Sequence, residues 1–484
     1  MKKKILGVAL LLGSLLLSCT DNPEIQISGM VRNTGDYPVV YFQSVDGMFN
    51  SQTCDTLQIN PDSTYTLTLP AEQYKRLRFV LWGEKELGSV IITHKDRIVE
   101  INLDGAADQS ISVPGRSEQE SDWLTAIDRL NTDVWNLRTW QGDRWGIADD
   151  TVASEVTAKL KADALTMDEQ LKGARPDLYK KLQQDVRMQL MLAFQNQMMV
   201  TNYRCSDATK QEWQREWEEM SAFCSVNDPD SPYSPAFYDV ARNNSGLAHM
   251  SSGAPRGTKI DPDRAFFRYC EEDLSGKAQE AAMAQIFLQD QAEERNNPDI
   301  TTLFDRFKEL YPESAWMPMV EEAIAKNRAF NEAEAPAYIH FPEVEGVETF
   351  AEIIERHRGK ILYLDIWATW CGPCRSSFAH VKPLQDYVRT HDDVALLYLS
   401  LDRDEEDAKF RKMAVHYDLM GDHIRVQEAF SKEVYRTFGD KNGNMTVPRY
   451  VIFDKNGAIR YAVAASPKEM ETLKSQLEAA ANEE

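Results

Sequence analysis

Two apolar runs near the C-terminal end restrict the fold most: KILYLDIW (360–367) and VALLYLSLD (394–402). Each is nearly continuous in Leu, Ile, Val and Tyr rather than alternating, the pattern of a strand covered on both faces. Between them, CRSSFAHVKPLQDYVRTH reads as a helix, and ETFAEIIERHR before them as another. KEVYRTFGD reads as a further helix, PRYVIFD and AIRYAVA as a strand pair turned at Lys455-Asn456-Gly457, and PKEMETLKSQLEAA as the last helix. Strands alternating with helices predict a central sheet between helical layers. This α/β region is expected over 336–484, after the Pro- and Glu-rich joint NEAEAPAYIHFPEVEG.

A chain of 484 residues is longer than one core usually organises, so further domains must precede it. Over 24–115 the runs IQISGMV, VVYFQSV, TYTLTL, RLRFVLW, SVIIT and RIVEINL predict a small antiparallel β domain, a sandwich or barrel. TYTLTL alternates strictly, placing Tyr65, Leu67 and Leu69 on one face after the turn Asn60-Pro61-Asp62-Ser63. Over 117–335 the texture is helical. Leu178, Leu182, Val186 and Leu190 recur at i+4 behind Arg175-Pro176-Asp177, and EQESDWLTAIDRL, KAQEAAMAQIFLQD and TTLFDRFKEL read alike. RNNSGLAHMSSGAPRGTKIDPD (242–263) reads as a long exposed loop. The Met and Trp residues of this zone fit core filling better than a ligand groove.

The formal net charge of −23 repels phosphate backbones, which argues against nucleic acid as a partner. Lys2, Lys3 and Lys4 precede the 13-residue run Ile5–Leu17, too short to span a bilayer and suited to a signal peptide over 1–18. Its end, Leu16-Leu17-Ser18-Cys19, resembles the bacterial lipobox, which implies cleavage before Cys19 and a lipid on that residue. A plain secretory signal is the alternative. The expected location is then the periplasmic face of a bacterial cell envelope, held to the membrane by lipid. Of the other cysteines, Cys205 and Cys224 flank SDATKQEWQREWEEMSAF, a Ser-capped helix. Its ends lie more than ~20 Å apart at 1.5 Å per residue, too far for a disulfide between those two.

Chemistry concentrates in DIWATWCGPCR (365–375). A Cys-X-X-Cys pair at a helix start meets unpaired N–H groups and positive partial charge, which stabilise a thiolate on the first cysteine. In such motifs that thiol falls from about 8.5 toward about 7. Cys371, just outside the helix and beside Trp370, is the expected attacker; Cys374, one turn inside, resolves the mixed disulfide. Gly372 permits the tight turn, and Pro373 occupies the first helical turn, where its missing N–H costs nothing. Zinc would need two further ligands, and His380 alone does not supply them. A structural disulfide and a peroxidatic cysteine are the other uses of such a pair.

DIWATWCGPCR resembles the active-site segment of thioredoxins, and 336–484 is similar to the membrane-attached thioredoxin-like reductases of the TlpA/ResA type. The β zone resembles, at the level of pattern, the small domain that often precedes such a unit in bacterial lipoproteins. The resemblance implies a C-terminal thioredoxin-like fold and no cofactor. It places Asp365 where thioredoxins keep a buried acid, able to take a proton from Cys374; many periplasmic relatives carry Asn there. Thr446-Val447-Pro448-Arg449-Tyr450 matches the loop that sets a cis-proline, Pro448, against the sulfurs, and FDKNG matches the family's following hairpin. Ala379 stands where the family's helix usually has proline, so a kink is expected later, at Pro383. GDKNGNMTVP is longer than usual ahead of the cis-proline. The implied activity is thiol–disulfide exchange, reducing in direction, with disulfide-bearing client proteins and a membrane electron donor as partners. A non-enzymatic binding lipoprotein using its β and helical zones, or a disulfide isomerase or oxidase, is the alternative.

Overall fold

The computed structural model describes residues 24–35, 37–45, 48–70, 75–82, 84–92, 96, 98–107, 111, 152–174, 176–202, 206–251, 261–342, 349–426, 428–439 and 445–482. The signal peptide expected over 1–18, Cys19, Cys205 and the helix expected over 118–130 lie outside these residues. Contacts divide the chain into two compact units, 1–295 with 299–323, and 296–298 with 324–484.

The first unit begins with eight strands among the described residues: β1 (Glu24–Arg32), β2 (Val39–Val45), β3 (Met48–Thr56), β4 (Thr64–Pro70), β5 (Lys75–Leu81), β6 (Lys85–Ile92), β7 (Ile98–Glu100) and β8 (Leu103–Asp104). They form two sheets, β4-β1-β7 with β8 also on β1, and β3-β2-β5-β6. Ile25, Ile27 and Tyr65 of one meet Val39, Leu77 and Phe79 of the other in one core, so the sheets stack as a sandwich. Tyr65 and Leu69 are buried as the alternation requires. The expectation of purely antiparallel pairing needs correction, because β1 runs parallel to β7 and β8. Alternation in RIVEINL is the same whichever way its neighbour runs, so pairing direction is absent from the pattern.

Helices follow: α1 (Ala153–Leu171), α2 (Pro176–Asn202), α3 (Asp207–Phe223), α4 (Phe237–Ser251), α5 (Pro262–Asp273), α6 (Gly276–Ala292), α7 (Ile300–Leu310) and α8 (Met317–Glu332). Leu178, Leu182, Val186 and Leu190 are buried along α2. Met188, Met191, Met198 and Trp213 are buried too, as core filling requires. Ser206 caps α3 by accepting the Thr209 N–H. The loop expected over 242–263 is corrected: its first ten residues complete α4, and 252–260 lie outside the described residues.

In the second unit, α9 (Phe350–Glu355), α10 (Gly372–Phe378), α11 (Lys382–Val388), α12 (Asp407–His416), α13 (Glu428–Phe438) and α14 (Met470–Asn482) surround a six-stranded sheet. Its strands are β9 (Ile339–His340), β10 (Ile361–Trp367), β11 (Val394–Ser400), β12 (Gly421–Arg425), β13 (Arg449–Phe453) and β14 (Ile459–Tyr461), in the order β14-β13-β10-β11-β12-β9. β10, β11, β12 and β9 are mutually parallel; β13 runs against them, and β14, antiparallel to β13, runs with them again. Every residue of β10 is buried. Alternation sends Leu362, Leu364 and Ile366 to one core layer. Ile361, Tyr363 and Trp367 go to the other, which also holds both cysteines. The segment after Cys374 is two helices rather than one, broken at Ala379–Val381. Pro383 has no N–H for the Ala379 carbonyl and its ring would strike that group, so the break falls one turn before the proline.

Candidate active site

Strand β10 delivers the chain to the site. Cys371 is the N-cap of α10, with extended backbone, and its Sγ accepts the Cys374 N–H at 3.1 Å. Pro373 lies in the first turn, and Gly372 has open space around its Cα. The two cysteines are joined as a disulfide with their Cα atoms 5.3 Å apart. Cys374 is fully enclosed, Cys371 is 4% exposed, and Trp370 beside it is 65% exposed. Both cysteines are thus buried, Cys371 slightly less completely than Cys374.

The Val447–Pro448 bond is cis, and the Val447 carbonyl oxygen lies 3.6 Å from Cys371 Sγ. A carbonyl at that distance would accept from the thiol of the reduced protein. The hairpin behind this loop turns at Gly457, whose φ is +81°, while Asp454 accepts the Asn456 and Ala458 N–H groups at 2.9 Å. Sequence reasoning thus located both the loop and its hairpin.

Asp365 lies at the middle of β10, between Tyr398 of β11 and Tyr450 of β13. Its place in the alternation points it to the layer that contains Cys374. Burial raises its carboxyl to about 8, and one oxygen has no hydrogen-bond partner. Tyr363 and Tyr398 are also pushed up, first by burial and then by the nearby acid. An unsatisfied acid in an apolar layer is costly. It can hold a proton near neutral pH.

Sequence reasoning passed over a third group, Asp402 with Thr369 and Ser400, all buried behind the cysteine turn. Only the acid closing VALLYLSLD hinted at it. Of the remaining cysteines, Cys224 and Cys270 are buried thiols, and burial pushes Cys224 up to about 12. Neither has the environment of a reactive thiolate. Among the described residues, no three His, Cys, Asp or Glu side chains group as a metal ion would require.

A parallel-centred sheet with helices on both faces, and a Cys-Gly-Pro-Cys disulfide opening the helix after its central strand, define a thioredoxin-like domain. Its site is that of a thiol–disulfide oxidoreductase. Comparison of sequences agrees. Residues 359–459 match the family described as Thioredoxin-like. Thiol-disulfide oxidoreductase ResA of Bacillus thuringiensis subsp. konkukian is 25% identical over 147 residues, 30% of this chain and 73% of that protein. Thioredoxin-1 of Caenorhabditis elegans is 34% identical over 58 residues, 12% of this chain and 47% of that protein. Among solved structures, a thiol-disulfide oxidoreductase from Bacteroides fragilis is 25% identical, covering 25% of this chain and 84% of that one with a TM-score of 0.21. Among the described residues, no helix is long and apolar enough to cross a membrane.

Proposed function

We propose that this chain is an extracytoplasmic, lipid-anchored oxidoreductase that reduces disulfides of client proteins. The observation that carries this reading is the seat of Cys371, whose sulfur takes a backbone N–H at the opening of α10. In the reduced enzyme that bond and the helix end favour the thiolate. Cys371 Sγ attacks one sulfur of the client disulfide, and the client's other sulfur leaves as a thiolate and takes up a proton. Asp365 then accepts the proton of Cys374, whose sulfur attacks Cys371 Sγ and expels the second client thiolate. The client gains two electrons, and Cys371–Cys374 becomes the disulfide seen here. A membrane partner returns the electrons, the lipid on Cys19 keeps the site near that partner, and the strands and helices of the first unit select the client.

Insulin reduction with dithiothreitol as donor tests the chemistry. Wild-type protein should accelerate it and Cys371→Ser should not; equal rates in the two would end the enzyme reading. Titration of the Cys371–Cys374 pair in glutathione buffers tests direction. A potential near −270 mV, like that of thioredoxin, supports a reductant, whereas one near −120 mV would mark an oxidant.

A further inference from the structure

Asp402 follows β11 by two residues, in a place where an apolar side chain would end the strand at less cost. A buried carboxylate is expensive unless donors surround it. Donors do surround this one. The Thr369 N–H reaches it at 2.9 and 3.1 Å, the Thr369 hydroxyl at 2.8 Å, and the Ser400 hydroxyl at 2.6 Å. Ser400 Oγ in turn accepts the Asp402 N–H at 3.0 Å. Both donors of Thr369, the backbone N–H and the hydroxyl, are therefore committed to one side chain.

Thr369 stands in the turn that leads from β10 into α10. Elsewhere that turn is held by backbone bonds, Leu401 N–H to the Trp367 carbonyl at 2.9 Å and Cys371 N–H to the Ala368 carbonyl at 3.0 Å. The geometry points to Asp402 as a positioning residue for the Cys371 sulfur. Its clamp on Thr369 fixes the turn that carries Cys371 to the opening of α10. The role matters for the exchange reaction proposed above and rests on that reading. Its physical basis is the short range of helix-end stabilisation, which falls off within one turn. A turn freed to move by an ångström would take Sγ out of hydrogen-bond reach of the Cys374 N–H.

The test follows alkylation of Cys371 by iodoacetamide against pH in the fully reduced full-length protein, with the modified peptide read by mass spectrometry. This readout needs no client and no turnover. If wild-type protein alkylates normally but fails with insulin, the functional reading falls and the clamp stands. Thr369→Val removes the hydroxyl and keeps the Asp402 charge, whereas Thr369→Ser restores the hydroxyl. Thr369→Val and Asp402→Ala should raise the alkylation midpoint by about half a pH unit, roughly a twofold slower reaction at pH 7 for a thiol that titrates near there. Thr369→Ser should match wild type, a rescue that a purely structural role would not produce in this readout. If Asp402→Ala fails to fold, the two Thr369 variants decide. Unchanged midpoints in Thr369→Val would overturn the proposal. So would faster alkylation in a folded Asp402→Ala, because the carboxylate would then act by charge on the thiolate rather than by holding the turn.

Discussion

Asp365 shows how one side chain can link stability to chemistry. Burial raises its folded value to about 8 from the ordinary 3.8, so the folded chain keeps a proton that the unfolded chain has lost. Its contribution is complete below about pH 4, declines as pH rises toward about 8, and is absent above that. By pH 7 the loss is on the order of a few kcal/mol, at 1.36 kcal/mol per unit. Asp365→Asn keeps the size and cannot ionise. Urea midpoints between pH 5 and 8 should fall for wild type and stay level for the variant, which should be the more stable protein at pH 8. Parallel curves would show that folding does not raise the Asp365 carboxyl. The same variant should accumulate the mixed disulfide, with resolution slowed by about a hundredfold for want of a base. The acid was legible in the sequence because it interrupts an apolar strand two residues before Trp367. Asp402 was not, since its meaning depends on donors brought together by folding.

Elements with strong periodicity were readable, and those held by tertiary bonds were not. β10 and β11 announced themselves as apolar runs, and α2 as a four-residue stripe. The RNNSGLAHMS part of α4 reads as loop because Asn, Ser and Gly favour turns over helices. Here Asn244 accepts from Gln195 at 2.7 Å and from Trp217 at 3.1 Å, so polar groups that would cap a turn instead bind neighbouring helices. β12, GDHIR, escaped notice for a similar reason. Its burial rests on Ile424 and on His423, whose ring stacks on Tyr398 at 4.7 Å. Gly421 opens that strand with φ at +136°, and a Cβ there would stand 2.6 Å from the Leu396 carbonyl oxygen. Gly421→Ala should therefore cost about 2 kcal/mol, from backbone strain and displacement of β11. Urea denaturation measures this, and a change within about 0.5 kcal/mol would mean that the strand yields freely.

On the scale of the whole molecule, no sequence pattern revealed that the N-terminal strands and helices form one unit. One contact that joins them links residues 109 positions apart. Arg76 of β5 donates to Asp185 of α2 at 2.9 Å, and both side chains are buried. The second Asp185 oxygen accepts from Gln189 at 2.9 Å and from Ser234 at 2.8 Å, so the carboxylate is well bonded. Beside this pair, Ile91 of β6 packs in one cluster with Leu178, Leu182 and Val186. A buried ion pair adds little over a well-packed apolar pair, but removing one partner leaves an uncompensated charge. Asp185→Ala should therefore cost about 3–5 kcal/mol, while Arg76→Met combined with Asp185→Leu should recover most of that loss. Limited proteolysis along a urea series distinguishes cooperative from local damage. Peptides from the strands and from α2 should become cleavable at the same lowered urea concentration in Asp185→Ala. If the strands open while α2 keeps its wild-type midpoint, sheet and helices are separate folding units joined only by contact.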